Sequence, residues 1–211
     1  MATKPVHHPI FARVYARLAK VMEPGQRGHR TELLEGLRGR VVEVGCGPGN
    51  NLAYYPGEVE QVLAVEPEAY LRGKAQHAAA AAPVPVEVLA GSAEALPVGD
   101  GWADAVVFSL VLCSVPDPAV ALAEATRVLK PGGLLCIYEH VVSTDPKRRR
   151  YQERIDGTWT RFTGGCHCNR DTSAALAAAG YDLEGLRSLT LKEVPRVVPV
   201  EPHLLGQVRR A

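Results

Sequence analysis

A glycine-rich turn that directly follows a buried strand constrains this chain more than any other feature. The run VVEV (41–44) predicts a β-strand, and it leads into a Gly-x-Gly-x-Gly turn (45–49). Glycines at alternate positions let the backbone turn tightly and approach a ligand without an intervening Cβ. A second predicted strand (61–65) ends at Glu66, an acid that can accept hydrogen bonds from both hydroxyls of a ribose. The pattern predicts a nucleoside pocket at the carboxyl edge of a parallel sheet.

The spacing of the glycines indicates which nucleoside is bound. The dinucleotide fingerprint is G-x-G-x-x-G, whose third glycine opens a helix that carries the pyrophosphate. Here the spacing is G-x-G-x-G, the turn has no basic residue for a phosphate, and Glu43 precedes the first glycine by two positions. A carboxylate at this position suits a cationic ligand, such as the amino group of S-adenosylmethionine, better than NAD or FAD. A glycine turn without any ligand fits poorly, because it leaves Glu43 and Glu66 unexplained.

The composition is that of an ordinary globular domain. The chain has 211 residues, of which 46% are hydrophobic and 22% charged, and a net charge of +1. This balance predicts one domain over 1–211 and gives no reason to expect a nucleic-acid partner. Five cysteines without a disulfide pattern, and the lack of a long apolar run, predict a cytoplasmic protein without stable membrane insertion.

Strands and helices alternate along the chain, which predicts an α/β fold. We expect a Rossmann-like, doubly wound, mostly parallel seven-stranded sheet with one antiparallel strand and helices on both faces. Ile10, Val14, Leu18 and Val21 recur at helical spacing, and Pro24-Gly25 is expected to end that helix. Strands are predicted over 41–44, 61–65, 84–89, 104–110, 134–139, 187–194 and 204–210, and helices over 10–21, 30–37, 68–82, 118–129 and 172–179. The first 40 residues are expected to supply helices that cover the ligand.

A polar and basic stretch, Ser143 to Arg170, interrupts the alternation after the fifth strand. Because it follows the carboxyl end of a strand, this lid segment (143–170) is expected to cover the ligand site. Its basic run, 147–150 with Arg154, is more typical of a solvated helix face than of a site for an anionic acceptor.

Five motifs together give the chain a family resemblance: VEVGCGPG, AVEPE, GSAEALP, ADAVVFSLVLCSV and RVLKPGGLLCIYEHV. The chain resembles the class I S-adenosylmethionine-dependent methyltransferases from Tyr15 to its final strand. The resemblance implies S-adenosylmethionine as cofactor and S-adenosylhomocysteine as its product. The cofactor contacts that it implies are Tyr15, Glu43, Gly45, Cys46, Gly47, Asn51, Glu66, Pro67, Ser92, Ala93, Glu94, Ser109 and Leu110. Core packing is an equal alternative for Tyr15, and Cys46 is expected to be a small buried residue, not a nucleophile.

A narrower resemblance concerns the methyl acceptor. LVLCSV, the EHV after the fifth strand, an Asp and a Trp ahead of GC-x-x-x-R, and P…PH…G near the end look like the methyltransferase-like subgroup that includes alkyl thiol S-methyltransferases. This resemblance implies a small-molecule thiol as acceptor. Alternatives remain open: C-methylation of a quinone precursor, N-methylation of a phospholipid amine, or a cofactor-binding module without catalysis.

Candidate catalytic residues lie after the fifth strand and in the lid segment. His140 is the first candidate for a general base, because imidazole titrates in the useful range, although a structural hydrogen-bonding role is equally compatible. Asp156 and His167 are further catalytic candidates. The residues expected to line the acceptor site are Cys113, Glu139, Trp159 and Arg170. Core packing is a second interpretation for Cys113 and Trp159.

The segment Cys166-His167-Cys168 contains metal-ligating residue types. It lacks the second, separated ligand pair of a zinc site, and Asp156 and Asp171 could complete one only by chance of folding. The sequence therefore predicts no metal site.

Overall fold

One seven-stranded sheet organises the molecule, in a computed structural model that describes residues 9–191 and 194–210. The strand order is β3-β2-β1-β4-β5-β7-β6. Strands β1 to β5 pair in parallel, and β7 runs antiparallel to both β5 and β6. The strands are β1 (Gly39–Val44), β2 (Val59–Val65), β3 (Val86–Leu89), β4 (Ala103–Ser109), β5 (Leu129–His140), β6 (Leu186–Leu189) and β7 (His203–Val208). The predicted fold class, with its one antiparallel strand, is confirmed.

Both faces of the central strands are buried. Strand β1 buries four consecutive residues, 41–44, and the central part of β4, 105–108, is buried in the same way. One apolar cluster lies on each face of the sheet, as helices on both sides of a parallel sheet require. The β1 and β4 carboxyl ends are therefore fixed next to each other, and the glycine turn starts there.

Helix ends follow the local capping chemistry. The helices are α1 (Pro9–Leu34), α2 (Ala69–Ala79), α3 (Pro118–Val128), α4 (Pro146–Phe162) and α5 (Thr172–Ala178). Four of them begin after an acidic N-cap whose carboxylate accepts a hydrogen bond from a backbone N–H of the first turn: Glu68, Asp117, Asp145 and Asp171. Proline occupies the first position of α3 and α4, where its missing N–H costs nothing.

The N-terminal part differs from the prediction of two helices separated at Pro24-Gly25. A single helix, α1, runs through Pro24. Arg30 joins the turns on either side of the proline, because it donates to Gln26 Oε1 at 2.6 Å and pairs with Glu23 at 3.4 Å. These contacts offset the backbone hydrogen bond that a proline removes from a helix.

The buried face of α1 is made of small residues. Ala12, Ala16 and Ala19 are at most 7% exposed, and Ala12 and Ala16 pack against Leu71 of α2. The residues whose spacing identified the helix lie on its open side: Ile10, Val14, Leu18 and Val21 are 50–80% exposed. Alanines allow the helix to pack closely, so apolar spacing located the helix but not its buried face.

Two segments near strand ends also differ from the predicted bounds. Strand β5 begins at Leu129, and Pro131 to Gly133 form an irregularity between the Ala103–Leu129 and Ala105–Leu134 pairs. Strand β6 ends at Leu189, well before the predicted 194, and Lys192 and Glu193 of that prediction lie outside the described residues. Prolines at 195, 199 and 202 keep the chain irregular until β7 begins at His203.

The lid segment folds as α4 followed by a turn, and the side chain of Gln152 holds the helix to the body. Gln152 is fully buried, and its Nε2 donates to the carbonyls of Val141 (3.1 Å), Pro199 (2.9 Å) and Glu201 (3.0 Å). Its Oε1 accepts from Ser143 N at 2.8 Å. The amide therefore ties α4 to the end of β5 and to the segment before β7.

Candidate functional site

The glycine turn lies at the carboxyl end of β1 with the conformation that its glycines permit. Gly45, Gly47 and Gly49 have φ values of 62°, 56° and 88°, which side chains disfavour. Space is also short: a Cβ on Gly45 would lie 2.8 Å from the side chain of Val111, and one on Gly49 would lie 2.8 Å from Ala78. Both backbone conformation and close packing therefore require glycine here.

Glu66 stands beside the turn, at the end of β2. Its Oε2 accepts from Gly47 N and its Oε1 from Glu68 N, both at 2.9 Å. Burial raises the pKa of Glu66, although these two N–H donors oppose the shift. Each carboxylate oxygen can accept more than one hydrogen bond, so Glu66 can hold the turn and still accept ribose hydroxyls.

Glu43 lies beneath the turn. It is 2% exposed, and its oxygens accept from Asn51 Nδ2 at 2.9 Å and from Tyr55 Oη at 2.8 Å. Burial raises the pKa of Glu43 to about 7. Arg30, which the sequence analysis did not single out, donates to Asn51 Oδ1 at 2.6 Å. Glu43 therefore reaches the ligand region through this hydrogen-bonded network.

The loop after β3 offers unsatisfied polar atoms. Ser92 Oγ and Glu94 Oε1 are buried and have no hydrogen-bond partner within the described part of the chain, and Ala93 between them is 7% exposed. Buried polar atoms in native proteins are almost always paired. An adenine ring, which carries donors and acceptors on its edge, would supply the missing partners, so these residues fit the cofactor that the sequence implies.

Tyr15 of α1 covers the turn. A Cβ placed on Gly47 would lie 3.6 Å from Tyr15 Cε1. Burial raises the pKa of Tyr15 to about 12. The Tyr15 ring stacks on Phe11 at 5.6 Å between centroids, and a Cβ on Gly164 in the lid segment would lie 2.5 Å from the Phe11 ring. One face of α1 therefore contacts both the glycine turn and the lid segment.

The remaining cofactor candidates lie around the same edge. Leu110 has a φ of 62°, unusual for a residue with a side chain, and Ser109 Oγ accepts from Arg30 at 3.4 Å. Cys46 N donates to Val65 O at 3.1 Å, which joins the turn to β2. The carbonyl of Pro67 accepts from Arg72 at 3.0 Å.

Glu139, a predicted acceptor-site residue, shapes the loop after β4. It is fully buried, and its carboxylate accepts from Val111 N (2.7 Å), Leu112 N (2.9 Å) and Cys113 N (3.3 Å). Burial raises the pKa of Glu139, although the three N–H donors act to lower that pKa. With both oxygens engaged by the backbone, Glu139 positions Cys113 and the Val111 side chain over Gly45.

Cys113, His140 and Cys166 meet next to this loop. Cys166 Sγ lies 3.1 Å from His140 Nε2 and accepts from Trp159 Nε1 at 3.4 Å. A hydrogen bond from Cys113, together with the imidazole of His140, lowers the pKa of Cys166 to about 4. The same bond raises the pKa of Cys113 well above its usual value. Burial acts to lower the pKa of His140, but the neighbouring Cys166 acts more strongly in the opposite direction. The net result is a raised pKa for His140.

Asp156 and His167 form a second pair in the lid segment. His167 Nδ1 lies 2.8 Å from Asp156 Oδ2, and Asp156 Oδ1 accepts from Cys168 N at 2.8 Å. The His167 side chain is 37% exposed, whereas that of Asp156 is 13% exposed. His167 N donates to Cys113 O at 2.8 Å, so the pair lies beside the cysteine and histidine cluster. Asp156 thus orients one ring nitrogen and leaves Nε2 available for proton transfer.

Arg170 is the last residue of the lid segment. Its Nη1 donates to Leu112 O at 2.5 Å, and the side chain borders a small cavity of about 140 Å³ together with Pro118 and Thr172. Burial lowers the pKa of Arg170. The predicted acceptor-site residues Cys113, Glu139, Trp159 and Arg170 are therefore all brought to the carboxyl ends of β4 and β5.

Known proteins resemble this chain in sequence and in fold. A methyltransferase domain family matches residues 42–137. The thiol S-methyltransferase TMT1B of Rattus norvegicus is 31% identical over 209 residues, which cover 94% of this chain and 83% of the relative. TMT1B of Mus musculus is 32% identical over 213 residues, with 95% and 85% covered. A Thermotoga maritima structure, described as a SAM-dependent methyltransferase and possible histamine N-methyltransferase, covers 96% of this chain and 99% of its own at 24% identity, with a TM-score of 0.67.

Among the helices of residues 9–191 and 194–210, none combines the length and the apolar character needed to span a bilayer. The resemblance noted from the sequence is confirmed by relatives that match almost the whole chain. With S-adenosylmethionine as its cofactor, the chain belongs to the class I S-adenosylmethionine-dependent methyltransferases, in the group that contains the thiol S-methyltransferases.

Proposed function

We propose that this methyltransferase acts on a small alkyl thiol and produces a thioether. The observation that carries the proposal is the similarity to thiol S-methyltransferases over 94% of the chain, which includes the lid segment as well as the cofactor motifs. Quinone precursors and phospholipid amines are not favoured, because the relatives matching over that length are named for thiols. All five cysteines are free, which supports the expected reducing, cytoplasmic environment.

The cofactor lies, in this proposal, between the glycine turn and α1. Glu66 accepts the ribose hydroxyls, Ser92 and Glu94 pair with the adenine edge, and Tyr15 covers the amino acid part. When bound, S-adenosylmethionine supplies a methyl group on a positively charged sulfur, which is a good leaving group. The chain itself must then hold the acceptor in line and exclude water, which is worth about 7–11 kcal/mol in well-oriented reactions.

The acceptor side lies between the loop after β4 and the lid segment. A thiol reacts as thiolate, and its usual pKa is about 8.5. His167 is suited to accept the thiol proton, because Asp156 fixes its Nδ1 and the ring is partly exposed. His140 is less suited to this role than the sequence indicates, since it is 6% exposed and its Nε2 faces Cys166. Arg170 and Trp159 close the acceptor site.

An acceptor panel tests the proposed function. Release of S-adenosylhomocysteine is measured with short alkyl thiols, hydrogen sulfide, a demethylated quinol and a phospholipid amine, and the thioether is identified by mass spectrometry. Turnover with thiols alone is expected, and His167→Gln should lower kcat while cofactor affinity is kept. The exposed Glu87→Gln on β3 is the matched control that keeps both. Turnover with the quinol or the amine but with no thiol contradicts the proposal, and cofactor binding without turnover on any acceptor indicates a non-catalytic module.

A further inference from the structure

Three metal-ligating side chains from distant parts of the chain converge in one buried place. Cys113 follows β4, His140 ends β5, and Cys166 belongs to the lid segment. They are 1%, 6% and 8% exposed. One ligand atom from each lies within 4.8 Å of the other two, and Cys166 Sγ is 3.1 Å from His140 Nε2. No other group of three such residues within 9–191 and 194–210 comes as close together.

These separations suit a zinc ion. Zinc takes sulfur at about 2.3 Å and nitrogen at about 2.0–2.1 Å in tetrahedral sites, so two sulfurs stand about 3.8 Å apart and sulfur and nitrogen about 3.6 Å. In the Cys₂His cluster, the separation of 3.1 Å between Cys166 Sγ and His140 Nε2 is about 0.5 Å shorter than this value, and the other separations are at most 4.8 Å. Small side-chain movements would therefore accommodate the ion. Soft thiolates with one imidazole favour zinc over magnesium or calcium, which prefer oxygen.

His140 presents its Nε2 to the sulfur of Cys166. Its Nδ1 is buried and has no hydrogen-bond partner among the described residues. A neutral imidazole that coordinates through Nε2 carries its one proton on Nδ1 and leaves one uncharged N–H unpaired. His140 can therefore coordinate through the ring nitrogen that lies 3.1 Å from Cys166 Sγ.

The cluster supplies three ligands from the described residues, one fewer than a tetrahedral zinc ion takes. Cys168, the next cysteine in the lid segment, is engaged elsewhere, since its sulfur lies 3.5 Å from Asp156 Oδ1 and 3.6 Å from Gln152 O. Three protein ligands with one open position are typical of catalytic zinc, whereas structural zinc has four. Arg170, whose charge acts on both Cys113 and Cys166, would balance the extra negative charge of an anionic fourth ligand.

We propose that Cys113, His140 and Cys166 bind one zinc ion and that the acceptor thiol is its fourth ligand. This inference rests on the proposed thiol methylation. The thiol binds as thiolate and its proton passes by way of His167 to solvent. The thiolate sulfur then forms a bond to the methyl carbon as the bond from that carbon to the cofactor sulfur breaks, and the electron pair stays on S-adenosylhomocysteine. The neutral thioether is a poor zinc ligand and leaves.

Metal content provides the first test. Protein reduced with a phosphine, loaded with zinc and freed of excess metal is measured by mass spectrometry, and about one zinc per chain is expected. Cys113→Ser, Cys166→Ser and His140→Ala should each weaken zinc affinity at least about 10-fold in competition with a chromophoric chelator. Cys168→Ser, two positions from Cys166 in the same turn, is the matched control that keeps zinc. Protein without bound zinc, or variants that all retain it, would overturn the site.

Cobalt substitution tests the fourth ligand independently of activity. Cobalt in the site should show sulfur-to-metal charge-transfer absorption that Cys166→Ser reduces, and the spectrum should change when an alkyl thiol is added. An unchanged spectrum at saturating thiol overturns the acceptor's role as ligand. Thiol methylation by zinc-free protein at the full rate would overturn the inference and leave the proposed function intact. Bound zinc and thiol without thiol turnover would contradict the proposed function alone.

Discussion

Replacing the buried Gln152 by methionine should loosen the lid segment. Methionine has a similar length but removes an amide that donates to three carbonyls at 2.9–3.1 Å and accepts from Ser143 N at 2.8 Å. Each lost hydrogen bond costs about 0.5–1.5 kcal/mol, and buried groups left unpaired cost more. We expect the free energy of unfolding to fall by about 3–5 kcal/mol, a large part of the stability of a typical domain.

Denaturant unfolding followed by circular dichroism and by Trp159 fluorescence measures the effect of Gln152→Met. In a Trp102→Phe background, Trp159 is the only tryptophan of the chain. Because Trp159 lies in α4, its fluorescence then reports on that helix. Gln76→Met, on the exposed face of α2, is the matched control and should change stability by less than about 0.5 kcal/mol. Unchanged unfolding and emission for Gln152→Met would refute the reasoning. The contacts that hold α4 would then be those of Arg148, which donates to the carbonyls of Arg196 and Val198, and of Tyr151, which donates to Val197 O.

Three more predictions concern the cofactor side. Glu66→Ala should weaken S-adenosylhomocysteine binding by about 1–3 kcal/mol, or about 5–150-fold in Kd by calorimetry, because ribose hydroxyls lose their acceptor; an unchanged Kd would remove Glu66 from the site. Burial raises the pKa of Glu43 to about 7, so the free energy of unfolding of the unsubstituted protein should fall by up to about 3 kcal/mol as pH rises from about 4.5 through 7. Glu43→Gln cannot ionise at this position and should lose less stability over the same range. Parallel stability profiles of the two proteins would contradict this. Gly164→Ala, with a φ of 67° and a Cβ 2.5 Å from the Phe11 ring, should cost about 1–3 kcal/mol in thermal unfolding, and Phe11→Ala in that background should recover only the part due to the clash.

The sequence predicted the sheet and the glycine turn well, because local chemistry determines both. Central strands buried on two faces must be continuously apolar, and 41–44 and 105–108 satisfy this condition. The turn requires positive φ values that only glycine adopts easily. The acid that follows β2 was located by its distance along the chain, and in the structure it bonds to the turn.

Other features depend on contacts that no local pattern contains. The helix continues through Pro24 because Arg30 reaches back to Gln26 and Glu23. Gln152 looks like any polar residue of a basic helix until the segment before β7 packs on it. The Cys₂His cluster combines residues 113, 140 and 166, whereas the metal site considered from the sequence combined residues 166–168 with Asp156 and Asp171. Only the fold brings such residues together.

The stacked rings of Phe11 and Tyr15 connect the glycine turn with the lid segment. Because both belong to α1, an outward movement of this helix would uncover the glycine turn and withdraw Phe11 from Gly164 at the same time. S-adenosylmethionine and the methyl acceptor should therefore each increase the binding affinity of the other by the same factor. S-adenosylhomocysteine could then not leave while the lid segment covers the acceptor site. Each catalytic cycle would include one movement that opens the cofactor site and the acceptor site together.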